Sequence, residues 1–342
     1  MEQVLTRIPE WHDVDLALFE REIITQYRPA VLRGVVGHWP IVEQARISPL
    51  AVGKYLHSLD NGTPVQAIMI PPGVDRRVFY QADLRGVNFI RNKLPISAII
   101  EQVLRYSAFP NPPSVAVQSA LISECLPGFL DAHPLPFLAA RPAPRIWLGN
   151  RLTVPAHIDE GNNIACVVSG ERRFTLFPPQ QIANLYVGPL EFTPNAAPVS
   201  MVDSARPDFD RFPRYKDALA AAQVADLAPG DALFIPALWW HQVESLSDMN
   251  ILINYWWGGS FGAAQSPVDC LLHCLMVMKQ LPPEHRAAWS HYFEHFIFAA
   301  DPAMAAHIPA DRRGVLGDLT TEQARAIKAR LIARLQKESS NV

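Results

Sequence analysis

Between Arg145 and Trp257 the chain is written as short apolar runs separated by turn residues. RIWLGN, NIACVVSG, RRFTLFPP, DALFIPA, WHQVES and NILINYWWGG are rich in β-branched and aromatic side chains and are bounded by Gly, Pro or Asn. Runs of this length and punctuation predict strands of an antiparallel β-sandwich or small barrel. VSGERRFTLF predicts a hairpin turn at Ser169–Glu171, and APGDALFIP sets Pro-Gly-Asp ahead of a strand. The stretch from about 180 to 228 is irregular, with one short helix in RYKDALAAAQ.

The flanks have a different rhythm. In 11–27, Leu16, Phe19, Ile23 and Ile24 recur at helical spacing behind Asp13 or Asp15 as a cap. Residues 28–36 read as a short buried strand, 48–60 and 96–107 as helices, 63–72 and 114–120 as strands. Beyond Gly259 the β pattern stops and three helices follow, at 266–281, 283–298 and 320–338. The first two carry more apolar surface than a solvated appendage needs. They serve either a homodimer through C-terminal helices or packing on the chain's own sandwich. The expected organisation is one domain over 1–260, with a mixed α/β part in 1–120 and a β core over about 114–260, then a helical segment over 261–342.

Composition narrows the class. Thirty Lys and Arg against 33 Asp and Glu give a net charge of -3, which disfavours nucleic acid or an anionic membrane as the main partner. No apolar run approaches the ~18 residues of a membrane helix, and the opening MEQVLTRIPEWHDVDL lacks a signal-peptide core. Four cysteines make no disulfide framework, so a cytoplasmic protein with reduced thiols is expected. Proline, 31 of 342 residues or about 9% against ~5% in average usage, fits many short elements joined by rigid turns.

Chemistry enters at VPAHIDEGNN. On a strand, His157 and Asp159 would share a face, so an imidazole and a carboxylate could take neighbouring positions on one metal ion. A third ligand must then come from another strand. His241, in PGDALFIPALWWHQVES, is the best candidate because Trp239 and Val243 give it an apolar setting that keeps an imidazole neutral. Spacing alone does not bring the two segments together. Elsewhere, His291 and His295 lie one helical turn apart without a third ligand. His273 stands between Cys270 and Cys274 on a helix apolar enough for buried thiols, and His133 reads as a loop residue.

Taken in order, GNRLTVPAHIDEGNNIACVVSGERRFTLFPPQQIANLY, APGDALFIPALWWHQVES and ILINYWW resemble the JmjC and cupin-like (cupin_8) branch of Fe(II)/2-oxoglutarate oxygenases. That branch includes the asparagine hydroxylase that inhibits hypoxia-inducible factor. The likeness runs from about Gly149 to Gly258, with a fainter echo in VFYQADL and SVAVQSA. It implies a mainly β fold, a double-stranded β-helix (jelly roll, cupin-like) with flanking helices and the C-terminal helical segment. It also implies that His157, Asp159 and His241 hold Fe(II), leaving positions for 2-oxoglutarate and O2. Arg172 would bind the distal carboxylate of 2-oxoglutarate where the asparagine hydroxylase has Lys, and Asn163 and Asn254 would line the co-substrate pocket.

The resemblance further implies hydroxylation of a protein side chain or small molecule, with release of succinate and CO2. Two positions depart from it. Val154 and Ala116 stand where family members place a hydroxyl-bearing Thr and Tyr, with Gln118 or Thr153 as substitutes. Tyr80 is a candidate for the substrate entrance, and Trp239, Trp240, Trp256 and Trp257 read as core packing. The departures keep open a metal-dependent cupin enzyme that does not use 2-oxoglutarate, and a non-catalytic cupin-fold binding protein.

Overall fold

Eight strands build the centre of the molecule: β1 (Arg145–Gly149), β2 (Leu152–His157), β3 (Asn162–Ser169), β4 (Arg172–Phe177), β5 (Gln223–Leu227), β6 (Ala232–Ile235), β7 (Trp240–Ser245) and β8 (Asn250–Trp257). The structure is a computed structural model that describes residues 5–138, 142–194, 197–258, 267–299, 301 and 303–339. Among these, β6, β3, β8 and β1 lie side by side in one sheet, and β5, β4, β7 and β2 in another. The pairings within each set are antiparallel. The chain therefore passes back and forth between two facing sheets, which is the double-stranded β-helix. The first sheet is extended by Ala30–Leu32 and Glu10–Trp11 on one side, and by Ser114–Leu121, Val65–Ile70 and Ile90–Leu94 on the other.

This topology corrects the hairpin expected at Ser169–Glu171. β3 pairs with β6 and β8, while β4 pairs with β5 and β7, so the turn carries the chain from one sheet to the other. Gly170 takes a φ of +71° there, and a Cβ on it would collide with the Met249 carbonyl. A hairpin and a crossover turn share the same local chemistry, so the sequence signal marked the turn and not the destination.

Between the sheets, Ala165, Val167, Leu233, Ile235 and Leu252 meet Phe174, Leu176, Ala225, Leu227 and Val243. On its other face the large sheet packs Ile164, Cys166, Val168, Phe234, Ile251 and Ile253 against N-terminal helices. Asn163 through Ser169 are consequently all buried, which explains why NIACVVSG reads as a continuous apolar run without alternation. The covering helices follow their sequence signals. Pro49–Leu59 begins with Pro at its first position, and Ser48 accepts from the Ala51 amide at 3.1 Å. Ile96–Tyr106 buries Ile96, Ile99, Ile100 and Val103, the stripe of one helical face. Each such side chain contributes about 1.5–3 kcal/mol by leaving water.

Two N-terminal expectations are revised. The strand in 28–36 shortens to Ala30–Leu32, because Arg33 to Gly37 form turns. The helix in 11–27 does start at Asp15, which accepts from the Leu18 amide at 2.7 Å, but it passes through a π turn at Phe19–Ile23 and ends as a 3₁₀ turn. It stops at Tyr27, whose hydroxyl donates to the Ala237 carbonyl at 2.5 Å, while the Trp239 indole donates to the Tyr27 carbonyl at 3.2 Å. The loop leading into β7 is thereby tied down.

The chain divides into two compact units, Met1–Gly259 and Ser260–Val342. The boundary expected at 260–261 lies outside the described residues. In the second unit the helices are Pro267–Met278, Pro283–Phe293 (prolonged by a π turn to Phe298) and Thr321–Ser339. Leu271, Met276, Trp289, Tyr292, Phe296 and Phe298 are exposed. Cys270 is exposed and Cys274 half-buried, contrary to the buried thiols expected. Their helix is apolar apart from Asp269 and His273, so apolar sequence did not translate into burial within this unit.

Candidate metal centre

The centre is set by an irregularity in β2. Val154 pairs with Val243 and His157 with His241, so three steps along β2 oppose two along β7. Strict alternation would send His157 outward if Val154 points into the sandwich. The extra residue is a β-bulge that turns His157 back inward, opposite His241. Pro155 sits in the bulge, where its missing N–H costs no ladder bond. The two imidazole rings come to rest 4.2 Å apart, centroid to centroid, tilted by 49°.

Each imidazole is oriented by a backbone carbonyl two residues back. His157 Nδ1 lies 2.9 Å from the Pro155 oxygen, and His241 Nδ1 lies 3.0 Å from the Trp239 oxygen. A carbonyl only accepts, so Nδ1 carries the proton and both Nε2 lone pairs are free to bind a cation. Burial, reinforced by the neighbouring His241 ring, pushes the His157 pKa below its ordinary value and keeps that ring neutral.

Asp159 reaches the site differently from the shared strand face expected. β2 ends at His157, and Asp159 lies in the loop beyond it. Its backbone oxygen accepts from the Leu238 amide at 2.9 Å, and the Asn162 side chain accepts from the Ala237 amide at 3.0 Å. The two loops thus fasten each other. Oδ2 of Asp159 lies 3.6 Å from His241 Nε2. It accepts from the Trp256 indole at 2.9 Å and from the Asn163 amide at 3.3 Å. One donor atom from each of His157, Asp159 and His241 falls within 4.8 Å of the others, the single such cluster among the described residues. Two imidazoles and one carboxylate form the donor set of non-haem Fe(II) sites with open positions.

Arg172 faces the same interior. Leu176 of β4 opposes His241, and Arg172 lies four residues before it on the same strand face, about 13 Å away at ~3.3 Å per residue. The side chain is buried at 7% exposure, and among the described residues its Nε has no hydrogen-bond partner. Burial pulls its pKa down to about 10, so it remains charged at neutral pH. Arg173 points the opposite way, as expected, and binds Asp226 at 2.6 Å on the surface.

The cupin-like domain family matches residues 16–263. The chain belongs to this family. Among curated relatives of this cupin-like chain, lysine-specific demethylase JMJ31 of Arabidopsis thaliana is 32% identical over 40% of it and 23% of the plant protein. The human bifunctional peptidase and (3S)-lysyl hydroxylase JMJD7 is 27% identical over 70% of the chain and 80% of that protein. Lysine-specific demethylase 8 of Xenopus tropicalis is 25% identical over 74% of the chain and 53% of that protein. The chain spans under a quarter of the first and about half of the last. The resemblance to JmjC and cupin-like proteins drawn from the motifs is borne out.

Against this cupin-like background, the departures have visible consequences. Val154 packs among interior apolar side chains and Ala116 beside the Ile68–Leu152 cluster, so neither supplies a hydrogen bond. Thr153 alternates with Val154 to the other face, where its backbone bonds Arg76 and Val78. Tyr80 is 4% exposed and donates to the Phe192 carbonyl at 2.7 Å. His133 lies in a loop, as expected, but is buried there, stacked on Phe129 and accepting from the Ile41 amide. Asn254 donates to Asn163 at 3.3 Å and accepts from Trp147. Trp256, read as core packing, also donates to Asp159, and Trp147 is a further donor that the sequence analysis did not single out. The available signal was alternation: Asn254 and Trp256 are two apart on β8 and share a face.

Proposed function

We propose that the protein is an Fe(II)- and 2-oxoglutarate-dependent oxygenase that hydroxylates a side chain of a protein substrate. The observation carrying this reading is the cluster of His157, Asp159 and His241, in which both imidazole Nδ1 atoms are bonded to backbone carbonyls and leave Nε2 to bind a cation. His157, Asp159 and His241 would hold Fe(II). The iron and co-substrate supply the oxidation when bound: 2-oxoglutarate is converted to succinate and CO2, one atom of O2 enters succinate and the other enters a substrate C–H bond. Arg172 would anchor the distal carboxylate, since its buried Nε has no hydrogen-bond partner among the described residues. Val243, Trp239 and Leu176 are buried between the sheets beside the cluster and would help keep water from it.

A protein substrate is favoured over a small molecule because the relatives' names specify lysyl hydroxylation and lysine demethylation. The test is incubation with Fe(II), 2-oxoglutarate and O2, reading succinate, with a lysine-rich peptide library added and mass spectrometry for a gain of one oxygen. Succinate formation that depends on His157 is the expected result. No helix among the described residues is long and apolar enough to cross a membrane, and the cytoplasm is the compartment we propose.

The assembly we propose is a homodimer through the C-terminal helices. Apolar side chains exposed along Pro267–Met278 and Pro283–Phe293 support it. Light scattering of the full chain should give close to twice 38.1 kDa, and Met276→Glu with Trp289→Glu should return the monomer mass. A monomeric wild type removes this proposal.

A further inference from the structure

Four residues that hold no metal themselves converge on Asp159. Trp147 Nε1 donates to Asn254 Oδ1 at 3.0 Å, and Asn254 Nδ2 donates to Asn163 Oδ1 at 3.3 Å. Asn163 Nδ2 then donates to Asp159 Oδ2 at 3.3 Å. From the other side, Trp256 Nε1 donates to the same oxygen at 2.9 Å. The two indoles stand edge to face, centroids 6.1 Å apart. Asn163 and Asn254 are 5% and 1% exposed, so their amides must satisfy one another and their neighbours, not bulk water.

The direction of this chain is not free. A side-chain amide can present either its oxygen or its nitrogen to a neighbour, but an indole N–H can only donate. Trp147 therefore makes Asn254 turn its oxygen toward the indole and its nitrogen toward Asn163. Asn163 must then offer its oxygen to Asn254 and its nitrogen to the carboxylate. Without that fixed end, both amides can flip together and present a carbonyl oxygen to Asp159, which repels it.

We infer that Trp147, Asn254 and Asn163 form a directional hydrogen-bond relay that, with Trp256, fixes the rotamer of the Asp159 carboxylate as a metal ligand. All four are positioning residues. The inference deepens the metal-centre reading and rests on it. It also gives the two asparagines a role in the ligand shell distinct from lining a co-substrate pocket. A loop residue needs such support, because Asp159 has no strand ladder on either side to hold it.

The experiment measures Co(II) binding to the full-length protein by chelator competition and visible absorption, together with the melting temperature of the metal-free protein. Trp256→Phe keeps the ring and removes one donor; it should weaken Co(II) about 10–100-fold. Trp147→Phe does not touch Asp159, yet should weaken Co(II) about 3–10-fold and alter the ligand-field bands. Asn254→Asp keeps the shape but can only accept, so it reverses the relay. It should weaken Co(II) binding even though an added negative charge alone would strengthen it. Co(II) affinities within twofold of wild type in Trp147→Phe and Asn254→Asp, whatever happens to the melting temperature, overturn the inference. A wild type that binds no Co(II) sensitive to His157→Ala instead overturns the metal-centre reading beneath it.

Discussion

Asp159→Ala is expected to lower succinate formation from 2-oxoglutarate by more than about 100-fold and to weaken Co(II) binding at least as much. The effect has two sources. The substitution removes the one carboxylate donor of the cluster, leaving two imidazoles whose rings are 4.2 Å apart and buried. It also strands the Trp256 indole and the Asn163 amide, which lose their acceptor in a poorly solvated place, at about 1–3 kcal/mol each. Asp159→Asn separates these sources. It keeps an oxygen for Trp256 but loses the charge, so it should retain the melting temperature of the metal-free wild type while still failing to turn over. The readouts are succinate by mass spectrometry and Co(II) affinity by competition. Undiminished turnover in Asp159→Ala would eliminate the proposed ligand set.

How far these features could be read in the sequence depended on whether local pattern or long-range pairing set them. The β core was legible because each strand carries its own signature: β-branched and aromatic residues between Gly, Pro and Asn. Ile96–Tyr106 was legible because one face of one helix repeats within four residues. Sheet membership was not, since the turn at Gly170 has the same local chemistry whether β4 returns beside β3 or crosses to the facing sheet. The pairing of His157 with His241 depends on a bulge that appears only when β2 is laid against β7. Alternation applied to β2 alone puts His157 on the face opposite Val154, which is wrong by the one extra residue. Trp256 was read as packing because an indole is large and apolar before it is a donor. Only the position of Asp159 beyond the strand end shows why the donor matters.

Arg172→Ala should raise the KM for 2-oxoglutarate about 10–100-fold while leaving Co(II) affinity unchanged. That range corresponds to losing a charge-assisted bond of about 1.5–3 kcal/mol, at roughly 1.4 kcal/mol per factor of ten. Arg172 and the ligand cluster lie at opposite ends of one strand face, so the two measurements should separate cleanly. Arg172→Lys should recover part of the loss, because it restores charge without the planar fork. The metal-free protein should respond in the opposite sense. A buried guanidinium whose Nε has no partner among the described residues is a cost to the fold. Burial depresses its pKa to about 10, so the cost is fully present below that value and is relieved only as pH rises through it toward the unfolded value. At neutral pH, Arg172→Ala should therefore match or exceed the wild-type melting temperature, although it removes a large side chain. A cupin enzyme that does not use 2-oxoglutarate, the reading that Val154 and Ala116 keep open, predicts something else: metal-dependent activity on its own substrate survives Arg172→Ala, and 2-oxoglutarate has no effect on either protein. The physical choice lies in what neutralises Arg172. If 2-oxoglutarate raises the melting temperature of the wild type and not of Arg172→Ala, its distal carboxylate is the missing partner of that charge.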